Sequence, residues 1–98
     1  MQVNINVAEQ VTIKTNGTGT RFRTDQLSTG PDKNIAVTES KSSATAPLTR
    51  SQKAGHPDLA KNGGVVVGNK GAAQGYPAGT KIPPTNVDVI RPEDLNRP

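Results

Sequence analysis

Five apolar residues near the N-terminus fall on odd positions, Val3, Ile5, Val7, Val11 and Ile13, with polar residues between them. A period of two describes a strand with one buried face. Glu9 interrupts the apolar side and marks an expected bulge or edge. Asn16-Gly17 follows. This pair is a strong hairpin signal, because a type I′ turn needs positive φ at both central positions. With Asn16 and Gly17 at the tip, Thr15 pairs with Thr18, Ile13 with Thr20 and Val11 with Phe22. That register puts Val11, Ile13 and the single Phe on one face. Arg21 and Arg23 take the other face, opposite Thr12 and Gln10. A β-hairpin over residues 3–24 is therefore expected.

The rest of the chain is less regular. Residues 25–34 read as a loop with Gly-Pro punctuation, and Ile35 to Thr38 as one short strand. Residues 39–47 are polar and low in complexity, as in a linker. Thr49 and Gln52 fit a capping box, with Gly55 as its close. Pro57 suits the first position of a second helical turn, stopped by Asn62-Gly63. Residues 71–84 hold three glycines and three prolines, which excludes a long regular element. Val87, Val89 and Ile90 suggest a last short strand, and Pro92 opens one more helical turn.

Composition limits what these elements can bury. Val, Ile, Leu and Phe number 19 of 98 residues, a level at which ordering the whole chain is difficult. Fixing one residue's backbone costs about 1–2 kcal/mol. Burial returns about 25 cal/mol per Å² of apolar area. Some of the buried area is therefore expected to come from a partner. The net charge is +4. Residues 39–86 carry six cations against Glu39 and Asp58, but the lysines are spread out and form no cluster. With no cysteine there is neither a disulfide framework nor a thiol nucleophile. No apolar run approaches a membrane span. MQVNINVAEQ lacks the basic and apolar regions of a signal peptide, so use in a cytoplasm, or assembly there, is expected.

The motifs that suggest chemistry have simpler readings. In Lys61 to Gly71, KNGGVVVGNKG, Gly63 and Gly68 have P-loop spacing. Lys70 arrives one place late, and Gly71 stands where a hydroxyl would hold Mg²⁺. Three adjacent valines between glycines read as a strand. His56 is the one histidine; Asp58 and Ser51 are near in sequence, with no pattern that makes the three converge. Glu93 and Asp94 are adjacent, which suits a helix start better than paired acid–base work. Asn16-Gly17-Thr18 matches a glycosylation acceptor, but the turn accounts for it. No enzyme, cofactor or metal site is expected.

Residues 64–73, GVVVGNKGAA, resemble the Gly-Val-Val-Gly stretch of some small phage capsid cement proteins. The resemblance implies a non-enzymatic protein that binds assembled coat subunits and stiffens the shell. The expected fold class is mostly β with much irregular or extended structure: an N-terminal hairpin, short strands, single helical turns, and extended arms ordered by partners. Residues 1–38 would be the hairpin-containing anchor, 39–62 a polar linker with short helical turns, and 63–98 a Gly/Pro-rich arm with short strands. The expected function is a structural or stabilising component of a large assembly, above all a virion, present in many copies. Its partners would be larger protein subunits, with no membrane involved. Strand addition through Val65, Val66 and Val67 is the expected mode. Arg21 and Arg23, and Tyr76 and Ile82 on the last arm, are the other expected contacts. The alternative is a small nucleic-acid-binding or ribonucleoprotein-particle protein using Arg21, Arg23, Arg50, Lys53, Lys61 and Lys70.

Overall fold

The N-terminal alternation produces two long antiparallel strands, β1 (Ile5–Thr15) and β2 (Arg21–Thr29). The computed structural model describes residues 5–92, apart from 31, 42 and 44. Val3 and the helical turn expected after Pro92 lie outside the described residues. Four further strands complete one sheet: β3 (Ile35–Ser40), β4 (Gly64–Val67), β5 (Lys81–Ile82) and β6 (Val87–Ile90). The strand order is β5-β4-β1-β2-β3-β6. All neighbours are antiparallel except β3 and β6. The mostly-β reading with an N-terminal strand pair holds.

The hairpin register differs from the expected one by two residues. Ile13 pairs with Phe22, Val11 with Thr24 and Thr12 with Arg23. The Thr15 N–H donates to the Thr20 carbonyl at 2.8 Å, so four residues, Asn16 to Gly19, form the loop. Positive φ falls on Gly19 (72°), not on the Asn-Gly pair. A shift of two preserves the faces. Ile13 and Phe22 are therefore buried, and Arg21 and Arg23 exposed, as the alternation requires.

β1 slips by one residue near its start. The register shifts between Ile5 and Ala8, and Asn6 and Gln10 have positive φ. Buried positions step from 8 to 11 on β1 and from 24 to 27 on β2. The irregularity marked by Glu9 thus keeps Ala8, Val11, Leu27 and Thr24 all buried. β2 also runs five residues into the segment expected as a loop. Pairing with β1 on one side and β3 on the other secures Gln26 to Thr29 in the ladder.

Residues 49–62 form one helix, α1 (Arg50–Asn62), where two separate turns were expected. The capping box is as read: Thr49 accepts from the Gln52 N–H, and the Gln52 side chain accepts from the Thr49 N–H. Gly55 does not end the helix. A Cβ there would lie 2.4 Å from Phe22 Cδ1, so glycine lets α1 settle onto the hairpin. Gln52, Gly55, His56 and Leu59 form the buried stripe, at helical spacing. Its packing offsets the hydrogen bond that Pro57 forfeits inside the helix.

The described part of residues 63–98 does not extend away from the anchor. It supplies β4 beside β1 and β6 beside β3, in the same sheet. The linker is tied back as well: Arg91 donates to the Ser43 and Ala46 carbonyls. The radius of gyration is 13.1 Å, close to the roughly 13 Å of a globular chain of this length. The core gathers Ala8, Val11, Ile13, Phe22, Leu27, Val37, Leu59, Val66, Tyr76 and Ile82.

Candidate partner-binding surfaces

α1 lies along the hairpin, and its two ends meet it differently. At the C-terminal end the hairpin loop docks on Asp58. The Asp58 carboxylate accepts from the Thr18 N–H and the Thr18 hydroxyl, both at 2.7 Å, and from Asn62 Nδ2 at 2.7 Å. Hydrogen bonds from Asn62, Thr15 and Thr18 hold this carboxyl well below the usual carboxylate range. Asn16 Nδ2 donates to the Asn62 carbonyl at 3.0 Å, and the Asn16 N–H to the Gly63 carbonyl at 2.9 Å. Gly17 is needed for space rather than for its φ. A Cβ there would lie 2.2 Å from Asp58 Oδ1 and 2.5 Å from Asn62 Nδ2.

At the N-terminal end a cleft of about 540 Å³ opens between α1, β2 and the end of β3 and reaches across β2 to Gln10 and Thr12 of β1. Phe22, Arg21, Arg23 and Asp25 line it from β2, Glu39 and Lys41 from the end of β3, and Thr49, Ser51 and Gln52 from α1. The cleft exists because β3 leaves the ladder early. Pairing with β2 runs from Thr29 back to Gln26. At the next positions Asp25 Oδ2 accepts the Ser40 N–H at 2.8 Å, a side chain replacing the backbone partner. Lys41 then turns away, its N–H to the Ile90 carbonyl and its Nζ to Gln52 Oε1, both at 2.8 Å.

Glu39 sits at this junction, 5% exposed. Burial, and then the neighbouring Asp25 charge, push its carboxyl up, against hydrogen bonds from Gln52 and the Asp25 N–H and the charge of Lys41. Its Oε2 is buried without a hydrogen-bond partner among the described residues. His56 is also buried, its ring edge-on to Phe22 with centroids 5.0 Å apart, and its Nε2 has no partner. Burial, then Lys41, holds its pKa down. The Asp58 carboxylate is spent on Thr18 and Asn62, so no Ser-His-Asp grouping forms around His56. Among the described residues, no three of His, Asp and Glu gather as a metal site, and no helix is long and apolar enough to cross a membrane.

The residues expected to meet a partner divide into two groups. Arg21 and Arg23 are exposed and flank the cleft. Val66, Tyr76 and Ile82 are in the core. The Tyr76 hydroxyl shares a 2.5 Å hydrogen bond with the Thr29 hydroxyl. With one Phe and one Tyr available, the chain uses both for its own interior. Val65 and Val67 are half-buried. KNGGVVVGNKG is a strand, as read, but β1 pairs with it on one side, and β5 and Thr80 on the other. Strand addition therefore finds no free edge along 64–66. Gln52 was legible as a capping residue, but nothing in the sequence brought it together with Glu39 and Asp25, since their meeting depends on β3 lying beside β2.

The sheet's own edges are unequal. β5 has two residues and runs into Pro83-Pro84. Short edge strands and prolines deter further pairing. β6 has four residues, and Val87, Val89 and Ile90 are half-buried. Among the described residues no strand lies on its outer side. No protein-family model, curated protein or solved structure matches this chain.

Proposed function

We propose that this chain is a non-enzymatic structural component that binds and stabilises a large protein assembly, above all a virion assembled in a host cytoplasm. The observation that carries the reading is the asymmetry of the sheet, blunted at β5 and, among the described residues, open at β6. An open edge with apolar side chains half-exposed suits a strand from a larger subunit, which would extend the ladder. The Ile90 carbonyl accepts the Lys41 N–H, so Ile90 faces β3 with its backbone. Backbone groups alternate in direction along a strand, so the N–H of Val89 points outward. Val89→Pro removes that outward donor and no hydrogen bond of the chain's own ladder.

The test follows the tagged chain through a density gradient, in the cells that make it. Wild type is expected to travel with a fast-sedimenting protein shell. Val89→Pro is expected to remain at the top of the gradient with an unchanged melting temperature. Wild type found only as free protein would sink the reading. The second reading, nucleic-acid binding, draws on Lys14, Arg21 and Arg23, exposed together on neighbouring strands. It predicts that nuclease or moderate salt releases the chain from the particle, whereas strand pairing resists both.

A further inference from the structure

We infer that the cleft beside α1 is a second attachment site, which takes an extended acidic peptide segment as an added strand next to β2. The site is separate from the β6 edge and does not depend on it. Its basis is the flank of β2 before Gln26, which no strand among the described residues pairs. The Thr15 N–H donates to Thr20, so Thr15 and Thr20 are a hydrogen-bonded pair. In an antiparallel ladder such pairs alternate with non-bonded ones. Lys14–Arg21 and Thr12–Arg23 are then non-bonded pairs, and the backbone groups of Arg21 and Arg23 point away from β1. They point to the side where β3 would continue, and the β2–β3 pairing stops at Gln26. Two N–H donors and two carbonyl acceptors thus face the cleft.

An extended segment in the line that β3 abandons would pair with all four. Alternate side chains of that segment would project to the same side as the Arg21 and Arg23 side chains. Those guanidiniums, with Lys41, outnumber the two carboxylates lining the cleft. Asp25 already accepts from Gln10 and from the Ser40 N–H. Carboxylate side chains on the incoming strand therefore match the cleft. Glu39 adds an independent pointer. It lines the cleft, is 5% exposed, and its Oε2 has no donor among the described residues. A backbone N–H of the added strand is the kind of group that would supply one. A free small anion would not.

The probe is the blocked peptide acetyl-Glu-Val-Glu-Thr-Glu-Val-amide, titrated into the ¹⁵N-labelled full chain to about 1 mM, a concentration that detects weak pairing. The expected result is movement of the Arg21 and Arg23 amides and slower hydrogen exchange at both. The same peptide with Pro in place of Thr should lose this protection, and a lysine-for-glutamate peptide should not bind. An Arg21→Glu, Arg23→Glu double variant should bind roughly tenfold more weakly. Both side chains are exposed, and a dispersed amide spectrum verifies that the variant is folded. Equal binding of the Pro peptide, or changes without amide protection, would mean charge attraction alone and would overturn the proposal. No binding of the acidic peptide, or protection of the same amides by oligothymidylate instead, would overturn it too.

Discussion

Two carboxylates at opposite ends of α1 behave in opposite ways. Asp58, at the C-terminal end, is surrounded by donors from the hairpin loop and from Asn62, and the folded state favours its charge. Glu39, below the N-terminal end, is buried beside Asp25 with one oxygen unpartnered, and the folded state resists its charge. One helix thus has a sealed end and an open one. The sealed end is where loop and helix were shaped for each other, down to the missing Cβ of Gly17. The open end is where a strand stops short and leaves polar groups facing a cleft. A buried polar atom left without a partner calls for an explanation, and the strand proposed for the cleft supplies one.

The comparison breaks most severely at Phe22, which packs under the middle of the helix and lines the cleft. Phe22→Ala should cost about 3–5 kcal/mol of stability, measured by urea denaturation, and should loosen both ends together. If the hairpin-loop amides keep their protection in that variant, the two ends are held independently.

Asp58→Asn breaks the sealed end alone. A depressed folded pKa contributes stability that is complete above the unfolded value of 3.8 and is lost as pH falls below it. The variant should melt below wild type at pH 7, and the gap should shrink below about pH 4. A constant gap across the acid range would place the effect in geometry rather than charge.

Glu39→Gln should have the smallest effect and the opposite sign of pH dependence. A raised folded pKa contributes stability that is complete below the unfolded value of 4.5 and is lost as pH rises through the folded value. Wild type should gain stability relative to the variant as pH falls toward 4.5, where both side chains are neutral, and at pH 7 the variant should be the more stable of the two. Thermal melts from pH 4 to 8 read this directly. A wild-type advantage that grows with pH would show a carboxylate stabilised by its charge, contrary to its surroundings.

The hairpin, its buried face from Val11 onward, the strand at Val65 to Val67, the strands at 35 and 87, and the helix cap at Thr49 were legible in the sequence; Val7, expected on the buried face, is exposed, because the slip near the start of β1 gives its place to Ala8. Each rests on a local rule: alternation, turn residues between apolar runs, or a side chain three residues from the N–H that it caps. Local rules also survived a register two residues out, because a strand's period of two returns the same faces. That Gly55 and Pro57 sit inside one helix emerges from the assembled fold, since the reason is a Phe ring 33 residues earlier in the chain. The tertiary structure also decided that Tyr76 and Ile82 fill the core and that β4 has no free edge for strand addition. The cleft belongs to the same class. It is the space left where Asp25 takes the Ser40 N–H and ends the β2–β3 ladder. No spacing along the chain records which strand will lie beside which, so a site made by the end of a pairing appears only once the sheet is assembled.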